Sequence, residues 1–496
     1  MEKLKKVRPF YLILLLLFYI LHHYNRFFGF ISSAQIILYS IILFLTGLCY
    51  FLLNFFYKSP LKASLITFCL MSFLLFFGPY HDFLKLIFAE TVLSSYKVVV
   101  PTTFIIILLF TFYLNKRPDS LGRFSRYLNV LMIILCTVEV FTLLFKAKRF
   151  MEDHNLIYPE LSMCNNYTPL DLPDSTKPDI FYLVFDEYTS NQTLQDVWHF
   201  DNSDVTDWLS KKGFYIIPHS KSNYNLTPFS ISSVFNMNYF DGEKVSKGSR
   251  VNELQATRSL SKNETFCILE KENYLIRFIA PFNNSIEKNG LAYYFDYLSE
   301  EQLYLATFFG RFKKDILWNF RRLEVDQPGA NPPSHTKKVK DLNITISKIK
   351  GTTEASIERK PKFVYGHFMV THEPHIFDST GRVRKDFIAD NEPFKTYTQQ
   401  VLYVNSIIRD LVNYIQATNK RKTVILIQGD HGYRNFPSGT RTYDFPIFNA
   451  VYLPDQDYNQ FYKKMSPVNT FRVLFNHYFY QKFKLLPDSS VVVNQL

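Results

Sequence analysis

The sequence predicts two parts: an α-helical membrane domain of about five spans over residues 1–150, and an α/β domain with a largely parallel sheet over residues 177–496. A polar linker at 151–176, with Pro159, Pro169 and Pro173, joins them. Three observations point there. Five apolar runs crowd the first 150 residues. Basic residues collect between those runs: residues 1–150 hold 16 Lys/Arg against 5 Asp/Glu, and the remaining residues 40 against 39. Beyond residue 177, short runs apolar on both faces alternate with amphipathic stretches, as for strands covered by helices on two sides. The 50 Phe and 33 Tyr exclude a disordered chain. The charge excess lies between apolar runs rather than on a folded domain, which excludes a nucleic-acid reader.

The apolar runs are Phe10–Leu21, Ile36–Phe56, Leu61–Gly78, Val98–Leu114 and Tyr127–Phe145. A bilayer core needs about 20 helical residues, so the first run reaches that length only if it continues through His22 and His23 to Tyr24. No small-residue cleavage site follows it, and further spans do, which argues against a cleaved signal. Lys3, Lys5, Lys6 and Arg8, then Lys58 and Lys62, then Lys116, Arg117, Arg123 and Arg126 mark the cytoplasmic side. An odd number of spans then puts everything after Phe145 outside, with Lys146, Lys148 and Arg149 as a mild counter-signal. Tyr80–Tyr96 mixes apolar and charged residues and reads as an interfacial helix or a plain loop. Glu139, inside the fifth run, faces either an internal partner or a lipid head group.

In the outer part the predicted strands are Ile180–Phe185, Tyr215–Ile217, Tyr274–Ala280, Phe363–Val370, Thr423–Gln428 and Ala450–Leu453. Phe394, Tyr397, Val401, Val404, Ile408, Leu411 and Ile415, spaced by three and four, predict a long helix. A further helix follows Pro467, and the polar region Arg321–Thr353 reads as an irregular insertion. Cys164 and Cys267 lie where a disulfide can survive, though spacing does not say whether they meet. Cys49, Cys69 and Cys136 fall in the spans as small apolar residues.

Two predicted strands run into acids: Phe185 into Asp186-Glu187, and Gln428 into Gly429-Asp430-His431-Gly432. Sites in such sheets form beyond the carboxyl ends of strands. Asp and His supply oxygen and nitrogen ligands suited to zinc or manganese, and the glycines allow close approach. Each acid alone reads equally well as a loop or cap residue. Ser222-Asn223-Tyr224-Asn225-Leu226-Thr227-Pro228 precedes a helical stretch, Phe229–Met237. Thr227 there reads as a helix cap with Pro228 at the first helical position; the alternative is a metal-activated nucleophile. His367, His372 and His375 cluster at the end of Phe363–Val370 as ligands or phosphate-contacting donors.

In order, Phe-Asp186, Asn-x-Thr227-x-x-Ser230, His372-x-Pro374, Gly-Asp430-His431-Gly432 and Pro467-Val-Asn-Thr-Phe-Arg472 resemble the sulfatase-like branch of the alkaline phosphatase superfamily. With apolar spans in front, the chain is similar to membrane-anchored lipoteichoic acid synthases and lipid A phosphoethanolamine transferases. The resemblance implies an α/β/α sandwich over about residues 177–480 and a divalent metal, zinc or manganese. It implies Asp186, Thr227, Asp430 and His431 as metal ligands, with Glu187 a possible substitute for Asp186. It makes Thr227 the nucleophile and His372 the second catalytic residue, with His367, His375 and Arg434 as substrate-binding candidates; a surface arginine is the plainer reading of Arg434. The implied partners are a membrane phospholipid donor and an envelope glycan or lipid acceptor, in the inner membrane of a bacterial envelope with the catalytic domain outside. The implied activity is transfer of a phosphoethanolamine- or phosphoglycerol-type group. Sulfate-ester hydrolysis by a formylglycine is disfavoured, because neither Cys164 nor Cys267 lies in a Cys/Ser-x-Pro-x-Arg motif. A phosphodiesterase and a non-catalytic binding module are the alternatives.

Overall fold

The computed structural model describes residues 8–26, 28, 33–88, 91–116, 121–152, 161–170, 172–240, 250–260, 262–280, 303–315, 334–354, 360–384, 393–436 and 440–494. It separates into two compact units, Met1–Glu152 with Tyr294–Ala330, and Asp153–Tyr293 with Asn331–Leu496.

The first unit is built on five helices: α1 (Tyr11–Arg26), α2 (Ser33–Tyr57), α3 (Pro60–Ile87), α4 (Tyr96–Lys116) and α5 (Leu121–Glu152). Four of them, α2 to α5, are long and apolar enough to cross a membrane. The 16 residues of α1 span about 24 Å, so the first predicted run stays short even though its helix continues past Tyr24. Helix α3 runs on to Ile87 with Pro79 inside it and non-helical torsions at Phe76, three residues upstream, where proline obstructs the preceding turn. The predicted interfacial element at Tyr80–Tyr96 is therefore the end of α3 followed by a short 3₁₀ turn at Val92–Ser94.

Glu139 has internal partners. His22 Nδ1 lies 2.8 Å from its Oε1 and Asn25 Nδ2 2.6 Å from its Oε2. The chain returns to this unit after leaving it: Phe308 packs on Phe73 and Phe77 of α3, and Arg311 pairs with Asp82. Sequence reasoning assigned all of 177–496 to one outer domain. The helix Phe308–Asp315 groups instead with the N-terminal apolar helices, where Phe308 has its aromatic partners.

The second unit is a six-stranded sheet: β1 (Asp179–Phe185), β2 (Tyr215–Ile216), β3 (Leu275–Ile279), β4 (Lys362–Phe368), β5 (Thr423–Gly429) and β6 (Asn449–Tyr452), in the order β2-β6-β5-β1-β4-β3. The pairs β3–β4, β4–β1 and β1–β5 are parallel; β6 runs antiparallel to β5, and β2 to β6. All six predicted strands form. Every residue of β1, β4 and β5 is buried, and alternate side chains enter two cores. Ile180, Tyr182 and Val184 join Val424, Leu426, Phe363 and Tyr365 in one. Phe181, Leu183 and Phe185 join Ile425, Ile427 and Val364 in the other, under the helix Pro393–Thr418. This two-sided burial is what keeps a parallel sheet off solvent.

The region expected to be irregular holds a 21-residue helix, Ser334–Glu354. Val339, Leu342, Ile346 and Ile349 line its buried side, a spacing of three and four that its many polar residues obscured; residues 321–333 lie outside the described residues. The proximal stretch 161–176 belongs to the second unit rather than hanging free. Cys164 is joined to Cys267 by a disulfide, and Glu264 accepts hydrogen bonds from the backbone N–H of Met163 and Cys164.

Candidate active site

The register delivers the site. Phe185 is paired with Phe368 on one side and Gly429 on the other, so β1, β4 and β5 end level. Side chains alternate along a strand. Asp186 therefore continues the Ile180–Tyr182–Val184 face, Asp430 the Val424–Leu426 face, and His367 the Phe363–Tyr365 face. All three project to the side that carries the helix Thr227–Asn236, whose Ile231, Val234 and Phe235 fill the same core. Each offers a buried ligand atom, and these atoms lie within 4.8 Å of one another.

Gly429 and Gly432 bracket Asp430-His431 for a steric reason. A Cβ at Gly429 would collide with the carbonyl oxygen of Tyr188, and one at Gly432 with that of Tyr443. The Asp430 carboxylate is fully committed: Oδ1 accepts the N–H of Glu187 (3.0 Å) and of His431 (2.8 Å), and Oδ2 accepts the Thr227 hydroxyl at 2.6 Å. Glu187 sits at φ 61°, a left-handed conformation unusual for a non-glycine residue, and this turns its N–H toward Asp430.

Thr227 is the first helical residue rather than the cap. Leu226, with extended torsions, occupies the cap position, and no side chain caps the helix. The Thr227 hydroxyl is thus free of capping duty and points at Asp430, with His431 Nε2 at 3.4 Å. Ser230, one turn on, donates to the Asp430 carbonyl at 2.5 Å. The preceding loop is held by the C-terminal tail: Asn223 O accepts the Val491 N–H at 2.9 Å, and Asn225 Oδ1 accepts that of Val493 at 2.7 Å. Sequence reasoning missed this tail, which has no motif to mark it.

Protonation states follow from partners. His431 Nδ1 lies 2.9 Å from the Gly432 carbonyl, which can only accept, so Nδ1 carries the proton and Nε2 presents a lone pair. Burial, then the Arg434 charge, pull the His431 pKa down to about 4. That lone pair faces Asp430 Oδ2 at 3.4 Å and Asp186 Oδ1 at 3.5 Å. Asp186 Oδ1 is buried without a hydrogen-bond donor. Burial opposes the Asp186 charge, but His372, His367 and His431 around it hold the carboxyl well below the usual range. Burial, then the Asp186 charge, push Asp430 up to about 6. Two carboxylates, an imidazole lone pair and a hydroxyl oxygen converge with an orphaned buried oxygen among them. That donor set fits a divalent cation.

The remaining candidates separate. His367 is fully buried, with Nε2 at 3.3 Å from Asp186 Oδ2 and Nδ1 at 2.7 Å from the Tyr365 hydroxyl; it stands among the ligand atoms, not on the substrate side. His372 is half-buried. Its Nδ1 lies 2.7 Å from the Glu373 carbonyl, and its Nε2 is 3.5 Å from Arg434 Nη2. Burial works against its charge, yet Asp186 and Glu187 outweigh that and raise its pKa. His375 is turned away, with Nδ1 3.1 Å from Thr396 Oγ1 and Nε2 3.1 Å from the Thr371 carbonyl. Its expected substrate role has no geometric support, and it fastens the loop instead. Arg434 is no free surface arginine: Nε is 3.3 Å from Glu187 Oε1 and Nη1 3.4 Å from the Asn225 carbonyl. The Glu187 side chain, a suggested stand-in ligand, is thereby drawn to Arg434. Asp186, His367, Asp430 and His431 form a buried layer, and Thr227, His372 and Arg434 a partly open one above it.

Residues 262–472 match the sulfatase family model. The chain thus carries a sulfatase-type domain over those residues. The matched segment of this sulfatase-type domain contains His367, His372, Asp430, His431 and Arg434 and begins after Asp186 and Thr227. A comparison with curated protein sequences gives no significant match. Solved structures similar to the chain include the C-terminal periplasmic domain of EcEptC from Escherichia coli in complex with Zn (10% identity, TM-score 0.38, covering 63% of this chain and 86% of that one). Another is the corresponding domain of phosphoethanolamine transferase EptC from Campylobacter jejuni (12%, 0.36, 62% and 91%). A third is the integral membrane lipooligosaccharide phosphoethanolamine transferase A from Neisseria meningitidis (13%, 0.37, 90% and 95%).

Proposed function

We propose that this chain is a metal-dependent, membrane-bound phosphoryl-group transferase. In this reading Thr227 is the nucleophile, a phospholipid the donor, and an envelope glycan or lipid hydroxyl the acceptor. The observation that carries the reading is the Thr227 hydroxyl, 2.6 Å from Asp430 Oδ2 and 3.4 Å from His431 Nε2. Asp186, Asp430, His431 and Thr227, with His367 beside them, would hold the cation. A divalent ion in such a site supplies a lowered hydroxyl pKa and Lewis-acid polarisation of a phosphoryl oxygen.

The chain's own groups do the rest. Thr227 Oγ attacks phosphorus, and its proton passes along the hydrogen bond already aimed at Asp430 Oδ2. The bond from phosphorus to the lipid alcohol breaks, and His372 Nε2 protonates the departing oxygen. Its raised pKa suits a group that must carry that proton. Arg434, oriented by Glu187, stabilises the phosphoryl oxygens. A phosphodiester on Thr227 remains. In the second step an acceptor hydroxyl gives its proton to His372 and attacks phosphorus; the bond from phosphorus to Thr227 breaks, and the Thr227 oxygen recovers its proton from Asp430.

The apolar helices keep the enzyme in the bilayer with its donor. The basic loops favour the sulfatase-type unit on the outer side of the inner membrane, provided α1 also crosses. Mass spectrometry of the full-length protein after incubation with phospholipid vesicles tests this. We expect a head-group phosphate mass on the peptide carrying Thr227, absent in Thr227→Ala. No adduct on that peptide under conditions that yield product would overturn the nucleophile. Free head-group phosphate as the only product would make the enzyme a phosphodiesterase.

A further inference from the structure

Lys338 lies in the second turn of the helix Ser334–Glu354. Its ammonium reaches the segment that follows β4. Nζ is 2.5 Å from the His372 carbonyl, 2.9 Å from that of Pro374 and 3.5 Å from that of Val370. A lysine ammonium has three hydrogens and no acceptor, and here three carbonyls from alternate residues take them. The intervening Glu373 carbonyl faces the other way and meets His372 Nδ1 at 2.7 Å. The turn's carbonyls are thus divided between the lysine and the imidazole, which leaves His372 Nε2 facing Arg434.

The helix is fixed against the sheet. Leu342 and Ile349 are buried in the core beneath it, and Lys362 at the start of β4 donates to the Thr352 carbonyl at 2.6 Å. One lysine therefore ties the helix to the beginning of β4, and the other ties it to the turn beyond the end of β4. Charge-assisted bonds of this kind are among the stronger ones in proteins. Removing the ammonium would leave the turn's carbonyls to find other donors.

We propose that Lys338 is a positioning residue for His372: by holding the carbonyls of Val370, His372 and Pro374, it fixes the turn that aims the imidazole at the reacting phosphoryl group. This rests on the reading of His372 as a working group in phosphoryl transfer. The hydrogen bonds of Lys338 go to backbone carbonyls of the turn and not to the nucleophile or the ligand side chains, so metal content is expected to survive its loss.

The test uses the full-length protein in detergent with bis(4-nitrophenyl) phosphate as the probe. Lys338→Met lowers kcat about 30-fold with KM little changed, as expected for a displaced catalytic group, and metal content stays at the wild-type level. Lys338→Arg, which keeps a charged donor, recovers most of the rate. In a His372→Asn background Lys338→Met causes no further loss, because the two act through one group. A full additional loss in that background, a fall in metal content or an unchanged kcat would overturn the proposal. If Lys338→Met does not fold, Lys338→Gln carries the same comparison. Modification of His372 by diethyl pyrocarbonate, read by peptide mass spectrometry, gives an arm independent of turnover: the rate should change several-fold in Lys338→Met. If the wild type turns over no phosphodiester, the functional reading fails and the modification rate alone decides; an unchanged rate then sinks the role of Lys338.

Discussion

Two regions at the same edge of the sheet handle their histidines and acids differently. At the level ends of β1 and β5, backbone register alone brings Asp186, Asp430 and His431 together, and the side chains have almost no freedom. Beyond β4, three histidines within nine residues go three ways. His367, still in the strand, joins the buried ligand layer. His372, on the turn, faces Arg434. His375 turns inward to Thr396 and the Thr371 carbonyl. Strand register is a stronger organiser than closeness in sequence, and a histidine's role follows from the backbone it stands on.

The sharpest way to break this contrast is at the first region. Thr227→Ala should reduce turnover at least about 10⁴-fold, the order seen when a nucleophile is removed, with metal content retained. Turnover within tenfold of wild type would remove Thr227 from the mechanism. Asp430→Ala and His431→Ala should each empty the metal site, and His367→Ala should weaken it by about 10–100-fold as an adjoining support; elemental analysis after dialysis reads all three. If His367→Ala instead left metal content intact and changed only KM, it would belong with the substrate side after all.

Next comes pH. Metal competes with the proton on Asp430, whose pKa is pushed up to about 6, while His431, pulled down to about 4, stays neutral throughout that range. Affinity measured by calorimetry should therefore fall about tenfold per pH unit below about 6. In the metal-free protein the sign differs by group. The raised Asp430 is a folded group that holds its proton longer than the unfolded chain does, so its contribution to stability is present at low pH and is lost as pH rises toward 6. The Asp430→Asn variant should flatten that part of the stability–pH curve. The smallest expected effect is at His375. His375→Ala should leave kcat within about threefold and lower stability by about 1–3 kcal/mol through the unpaired Thr371 carbonyl, read by denaturant melts. A hundredfold loss of turnover would return it to the site.

How much of this was legible varies with the kind of signal. The six strands and the Phe394–Ile415 stripe were readable because burial on both faces writes itself as a short continuous apolar run, and burial on one face as periodicity. Asp186, Thr227, Asp430 and His431 were readable as residues beyond strand ends and at a helix start. Their convergence was not, since it depends on which strands are neighbours. The helix Ser334–Glu354 was hidden because the four apolar positions of its buried side are diluted by lysines and threonines. The Glu187–Arg434 pair spans 247 positions, and neither residue signals the other. Tyr80–Tyr96 misled because a proline in α3 bends that helix without ending it.

The most direct test of the central claim is anomalous diffraction from crystals of the full-length enzyme grown with zinc or manganese. We expect one strong peak within about 2.0–2.3 Å of oxygen or nitrogen atoms of Asp186, Thr227, Asp430 and His431. A fully occupied cation elsewhere, with those four side chains uncoordinated, would contradict it.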